Sequence, residues 1–268
     1  MSRIAERFAA LRAARERAFV PFVTAGDPDL DTTAELILAL ADSGADLIEI
    51  GIPFSDPSAD GPTIQRASER ALARGTTLRK VLPLVARLRA QVKLPLLLMG
   101  YANPFYALSA DGCAAACADA GVDGILCPDL PPEDGADLYA AFEKRGIDGV
   151  LLGSPTTTPA RMRMLVHNTR GFLYYVSLTG VTTARSDLAA GIESSVTAIR
   201  ALGDIPVCVG FGVSRPEHAR EIGRYADGVA VGSAIVSAIE AAPSKAAAVE
   251  AVARFAAAMK ASLLGVRP

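Results

Sequence analysis

The chain has 268 residues, 51% of them hydrophobic, and its 27 Lys and Arg against 29 Asp and Glu leave a formal net charge of −2. That apolar share can fill a large interior and excludes a charge-rich disordered chain. The near-balanced charge gives no basic footprint for nucleic acid or an anionic membrane, so small molecules and proteins are the expected partners.

The opening residues, Met-Ser-Arg-Ile-Ala-Glu-Arg-Phe, mix charges with apolar positions at helical spacing. They predict an amphipathic helix and lack the uninterrupted apolar run of a secretion signal. After them, short apolar runs recur at residues 18–23, 46–50, 95–99, 124–127, 149–152, 172–176, 206–209 and 228–231. Between these lie segments with helical periodicity, among them 33–42, 64–73, 78–90, 110–120 and 194–201. Strand alternating with helix implies right-handed βαβ units and a parallel sheet covered on both faces. Eight such units in this length predict an α/β fold of the (β/α)8 TIM-barrel type with an extra N-terminal helix, all as a single domain over residues 1–268. A doubly wound sheet fits less well, since no GxGxxG follows the first run.

Turn chemistry supports this register. Asp111-Gly112 is expected just before one helix, Thr158-Pro159 at the start of another, and Ser214 as the N-cap ahead of Pro216 and Glu217. Gly44, Gly121 and Gly146 read as helix C-caps. A Gly-(Ala/Val/Ile)-Asp pattern recurs at 44–46, 121–123 and 146–148, which marks equivalent helix-to-strand turns. Cys113, Cys117, Cys127 and Cys208 have no paired CxxC spacing and read as buried, reduced thiols. No metal site is expected from them, and a cytoplasmic location fits.

In a parallel barrel the working face lies at the C-terminal strand ends. Glu49 interrupts an otherwise apolar run there. It either pairs with a cation, reaches solvent or lines a cavity, and burial in a cavity would raise its pKa into the range of acid–base catalysis. The following loop, Pro53-Phe-Ser-Asp56-Pro57-Ser-Ala-Asp60-Gly61-Pro62-Thr63, is long and Pro-rich, as lids and binding loops are. Asp60 is either a turn residue or the partner acid. Glycines end the last three runs, at Gly180, at Gly210-Phe-Gly212 and at Gly232-Ser233, where free backbone N–H groups and a helix N-terminus could hold phosphate. His167 and His218 fall in helix or loop segments away from strand ends. Of Tyr174 and Tyr175, adjacent on one strand, only one can face inward.

The stretch from Glu49 through Ser-Asp56-Pro57-Ser-Ala-Asp60-Gly-Pro-Thr-Ile-Gln65, with Val20-Pro-Phe22-Val-Thr-Ala-Gly-Asp27-Pro28 and Gly210-Phe-Gly-Val-Ser, resembles the tryptophan synthase alpha chain family. Met99-Gly-Tyr101-Ala-Asn103-Pro104, Cys127-Pro-Asp129-Leu-Pro131, Ser154-Pro-Thr-Thr and Tyr174-Tyr-Val-Ser177 extend the resemblance along nearly the whole chain. It implies a carbon–carbon lyase that cleaves indole-3-glycerol phosphate to indole and glyceraldehyde 3-phosphate by a retro-aldol reaction. Glu49 and Asp60 would be catalytic, the first moving protons and the second holding the indole N–H. Phe22, Leu98, Tyr101, Leu126, Leu152, Tyr174, Thr182 and Phe211 would line the substrate pocket, and Thr183, Gly212, Gly232 and Ser233 would contact phosphate. Thr183 stands where the family commonly has Gly, and Pro128 where a small residue is common. The resemblance also implies no cofactor on this chain, and a pyridoxal-phosphate beta subunit as partner in an alpha2beta2 complex that receives the indole.

Overall fold

The structure is a computed structural model, and it describes residues 1–176, 185–210 and 212–266, the side chains of 185–190 excepted. The elements run α1 (Arg3–Ala14), β1 (Ala18–Thr24), α2 (Leu30–Asp42), β2 (Ile48–Gly51), α3 (Pro62–Ala73), α4 (Leu78–Arg89) and β3 (Leu96–Met99). Next come α5 (Ala102–Tyr106), α6 (Ala110–Ala120), β4 (Gly124–Leu126), α7 (Ala136–Glu143), β5 (Asp148–Gly153), α8 (Pro159–Asn168) and β6 (Leu173–Val176). The chain continues with α9 (Arg185–Arg200), β7 (Val207–Gly210), α10 (Pro216–Ile222), β8 (Gly228–Val231), α11 (Ser233–Ala241) and α12 (Lys245–Leu263). The strands pair in parallel in chain order, and β8 closes the barrel on β1 with Ala18 opposite Gly228. The expected (β/α)8 barrel with an added N-terminal helix is therefore the observed fold.

Two apolar layers follow from the strand alternation. Phe19, Val23, Ile48, Ile50, Leu96, Leu98 and Tyr175 join the helix side chains in the outer layer. Ala18, Val20, Leu47, Leu97, Leu126, Val150 and Cys208 fill the interior. α1 belongs to the inner layer: Ile4, Phe8 and Leu11, one helical stripe, are 0%, 5% and 3% exposed and close the floor of the barrel. Its start is fixed by Ser2, whose side chain accepts from the backbone N–H of Ala5 at 3.2 Å.

Two of the three recurring Gly-x-Asp turns, those of Asp46 and Asp123, do the same job on this floor, while the Asp148 carboxylate takes the Ser2 hydroxyl instead. The carboxylate of Asp46 accepts the N–H of Phe19 at 2.7 Å, and that of Asp123 accepts the N–H of Leu96 at 2.8 Å. Asp227, in the turn before β8, does the same for Val207 at 2.9 Å. Asp46, Asp123 and Asp227 thus each hook the start of the preceding strand, and each carries a cation on its outer side. Asp46, 0% exposed, is held by Arg7 of α1 and by Lys260 of α12 at 2.9 Å; Asp123 by Arg3 and Arg89. Asp46→Ala would leave two cations facing a desolvated gap and free one strand N–H. Denaturant unfolding should show a loss of about 3–5 kcal/mol, the range for breaking a buried pair; a loss under about 1 kcal/mol would contradict this role.

Several boundaries differ from the sequence reading. α2 begins at Leu30, three residues earlier than its apolar periodicity suggests, because Asp29 caps it by accepting from Thr32 N–H at 2.7 Å. α6 starts at Ala110 under a Ser109 cap, so Asp111 and Gly112 lie within the helix. Arg215, not Ser214, occupies the N-cap of α10 and makes no side-chain cap bond. α9 is longer than residues 194–201, its apolar stripe being diluted by polar residues at the start. Thr158 does cap α8, and Gly44, Gly121 and Gly146 all take positive φ just past their helices. All four cysteines are free and buried.

Candidate active site

At the C-terminal ends of the strands the interior opens into a cavity of about 440 Å³. Its side walls come from Phe22, Met99, Leu126, Leu152 and Tyr174, its base from Glu49, and its rim from the loop ending at Asp60 and from Gly212, Gly232 and Ser233. Two strand glycines make room for it. A Cβ on Gly51 would strike the ring of Phe22, and one on Gly210 would strike the ring and hydroxyl of Tyr174. Side chains at either position would push these aromatics across the hollow.

Register explains why Glu49 faces the interior. It pairs with Phe22 on β1 and Leu97 on β3, both inward positions, whereas Ile48 and Ile50 beside it point to the helices. The side chain is 1% exposed and its Oε1 has no hydrogen-bond partner. Burial alone pushes its pKa up to about 8. The charged form has lost its water and gained no cation.

Asp60 lines the same cavity from the loop between β2 and α3. Its pKa is pushed up to about 6 by burial, with a hydrogen bond from the Tyr101 hydroxyl acting in the opposite direction. The Tyr101 hydroxyl oxygen also accepts the N–H of Ala59 at 3.0 Å, and its ring stacks on Phe54 with centroids 5.3 Å apart. Behind Asp60, Gln65 donates to the Asp60 carbonyl at 2.9 Å. The loop acid is therefore positioned from two sides. At neutral pH the two acids differ in state: Glu49 holds its proton and Asp60 has mostly lost it.

On the rim Gly232 caps α11, and its carbonyl accepts from Ile235 at 2.9 Å and Val236 at 3.1 Å. Helix geometry leaves the N–H groups of Ser233 and Ala234 outside the helix's own bonding, and both residues border the cavity. With the positive end of the helix dipole behind them, they suit a bound anion.

The structure thus brings together Phe22, Glu49, Asp60, Leu126, Leu152, Tyr174, Gly212, Gly232 and Ser233 around one hollow. Tyr101 sits beside it, in a narrow cleft with Thr24 and Asp60, and touches the loop acid. Leu98 is a correction: it is buried in the outer layer, and Met99 occupies the inward position of β3. Thr182, Thr183 and Phe211 lie outside the described residues. Sequence reading missed Met99, Ile64, Val176 and Ser214 in the lining, and Pro128 does border the hollow. Only the strand register settles Met99: Glu49 pairs with Leu97, and period-2 alternation then puts 99 inward as well. Among the described residues no group of three or more His, Cys, Asp and Glu could hold a metal ion, and no helix is long and apolar enough to cross a membrane.

A closed parallel barrel with two carboxyls of raised pKa at its strand ends, facing a helix N-terminus, defines an acid–base enzyme of the (β/α)8 class. The profile of the tryptophan synthase alpha chain matches residues 8–263. The tryptophan synthase alpha chain of Geobacter sp. (strain M21) is 52% identical over 240 residues, covering 90% of each chain. The crystal structure of the tryptophan synthase alpha chain from Legionella pneumophila subsp. pneumophila superposes with a TM-score of 0.90 at 36% identity over 99% of both chains. For tryptophan synthase from M. tuberculosis in its aminoacrylate-bound form the TM-score is 0.88 at 33% identity, over 98% of this chain and 100% of that one. The chain belongs to the tryptophan synthase alpha chain family. Its reaction is the lyase cleavage of indole-3-glycerol phosphate, and it works with a beta subunit in tryptophan biosynthesis.

Proposed function

We propose that Glu49 and Asp60 divide the chemistry of this cleavage between them, one as proton carrier and one as fixed charge. The observation that carries the reading is the placement of Glu49: a carboxyl buried at the base of the cavity with Oε1 unpartnered, a burial that pushes its pKa up to about 8. The indole ring would lie between Phe22, Leu126, Leu152 and Tyr174, with the phosphate at Gly212, Gly232 and Ser233; Thr183 is proposed as a further contact. Thr182 and Phe211 are proposed for the pocket on the same footing, and Tyr101 acts through Asp60.

Glu49 donates its proton to the ring carbon that bears the glycerol phosphate. The ring becomes a cationic indolenine, and the Asp60 carboxylate accepts the ring N–H and offsets the new charge. Glu49, now ionised, takes the proton of the side-chain hydroxyl. The carbonyl of glyceraldehyde 3-phosphate forms as the carbon–carbon bond breaks, and its electron pair returns to the ring to give neutral indole. Glu49 ends as it began, protonated, so the cycle needs no other proton donor and no cofactor on this chain. Pyridoxal phosphate is assigned to the beta subunit. The buried thiols agree with a cytoplasmic site of action.

The pH dependence of indole release tests the division. The active form needs Asp60 ionised and Glu49 protonated, so kcat/KM should fall below about 6 and above about 8. Tyr101→Phe removes the hydrogen bond that lowers the Asp60 pKa. Its acidic limb should therefore move to higher pH while the limb near 8 stays in place. An unmoved acidic limb would contradict the role given to Tyr101, and a profile without a basic limb would contradict that of Glu49.

A further inference from the structure

A second hollow, also about 440 Å³, opens on the opposite face of the barrel, where β1, β7 and β8 begin. It is bounded by Arg12, Arg15, Arg17 and Arg200, with Asp204 and Asp227. We propose that this hollow is a binding site for a compact, multiply charged oxyanion, the phosphoryl group of a small phosphorylated molecule.

The charge pattern is incomplete as it stands. Arg12 pairs with Asp204 at 2.8 Å and Arg200 with Asp227 at 2.8 Å, which uses both carboxylates. Among the described residues Arg15 and Arg17 form no ion pair, although Asp227 lies close enough to Arg17 to act on its charge. Arg17 is the telling one: it is 6% exposed, its Nε donates to the Gly223 carbonyl at 2.7 Å, and its Nη2 is buried with no partner. A buried donor on a cation is costly to leave unmade, and an arginine fork matches the two oxygens of a phosphoryl group. Burial also holds this guanidinium below its ordinary pKa, and nearby Asp227 offsets that only in part. Arg15 stands at the hollow's edge in the left-handed conformation, φ 59, where a helix end usually carries glycine.

The competing explanation is that α1 and α9 end here and their partial negative charges attract cations. That accounts for Arg12 and Arg200, which lie in the last turns of those helices. It does not account for Arg17, which follows the helix, is buried beside the polar hollow and keeps one donor unpaired.

Titration calorimetry with pyrophosphate at constant ionic strength tests the site in the full-length chain. Ser233→Asp places a carboxylate at the α11 terminus and blocks anions at the other face, and this variant should still bind one pyrophosphate. Adding Arg15→Ala should weaken that binding about tenfold, and adding Arg17→Lys, which keeps the charge but loses the fork, should weaken it at least as much. Arg15→Ala alone should leave the rate of indole release unchanged. Abolition of all binding by Ser233→Asp would overturn the proposal, as would unchanged affinity in Arg15→Ala, which remains decisive should Arg17→Lys fail to fold. In either case the arginines would serve only the helix ends.

Discussion

Glu49→Gln should lower the rate of indole release by about 10³-fold or more while leaving the affinity for substrate within about tenfold, because the change removes proton transfer and little ground-state contact. The same variant should be more stable than the parent. The Glu49 pKa rises from 4.5 to about 8 on folding. Stability from this group is therefore complete below 4.5 and is lost as pH rises through about 8, when the folded protein must either hold a proton or bury a charge. At about 1.4 kcal/mol per pK unit the ceiling is on the order of 5 kcal/mol. Glutamine carries no such penalty, so its Tm should exceed that of the parent at pH 8 by several degrees, and the gap should close near pH 4. A variant that is both active and no more stable would show that the carboxyl is neither desolvated nor used. Loss of activity with gain of stability is the signature of a strained functional group.

Asp60→Asn is expected to cost about 10²-fold in kcat/KM, the scale for losing one preorganised electrostatic contact to charge that develops in the transition state. The amide can still accept the ring N–H through its oxygen, so binding should weaken less than turnover. Its distinguishing effect is on pH dependence. Asp60 supplies the limb near 6, and activity falls as pH drops through that value because the carboxylate gains a proton. Asparagine has no proton to gain, so the acidic limb should vanish while the limb near 8 persists. Persistence of the acidic limb in Asp60→Asn would assign it to another group and remove the charge role from this residue.

Much of this architecture was open to inspection in the chain itself. Eight apolar runs separated by helical segments have few solutions in 268 residues, and the repeated Gly-x-Asp turns kept the units in phase. Glu49 was identifiable because a carboxyl inside an apolar run has few places to go. Leu98 against Met99 was a different matter. Strands of a covered parallel barrel are apolar on both faces, so hydrophobicity does not tell inside from outside, and only pairing with a strand of known direction does. The Asp29 cap that starts α2 early and the Ser109 cap that draws Asp111 and Gly112 into α6 are single hydrogen bonds, weak against the apolar signal. The hold of Tyr101 on Asp60 spans two loops, and the arginine hollow gathers residues 12–17, 200–205 and 227. Such groupings arise from closure of the barrel and leave no local mark.

The most direct measurement is the titration of the Glu49 carboxyl itself, by infrared difference spectroscopy of the ligand-free chain with Glu49→Gln as the subtraction reference. A protonated carbonyl band that persists at pH 7 and disappears with a midpoint near 8 is the predicted result. A carboxylate already formed at pH 6, with a midpoint near the ordinary 4.5, would mean that this side chain has water or a cation beside it and holds no proton to give.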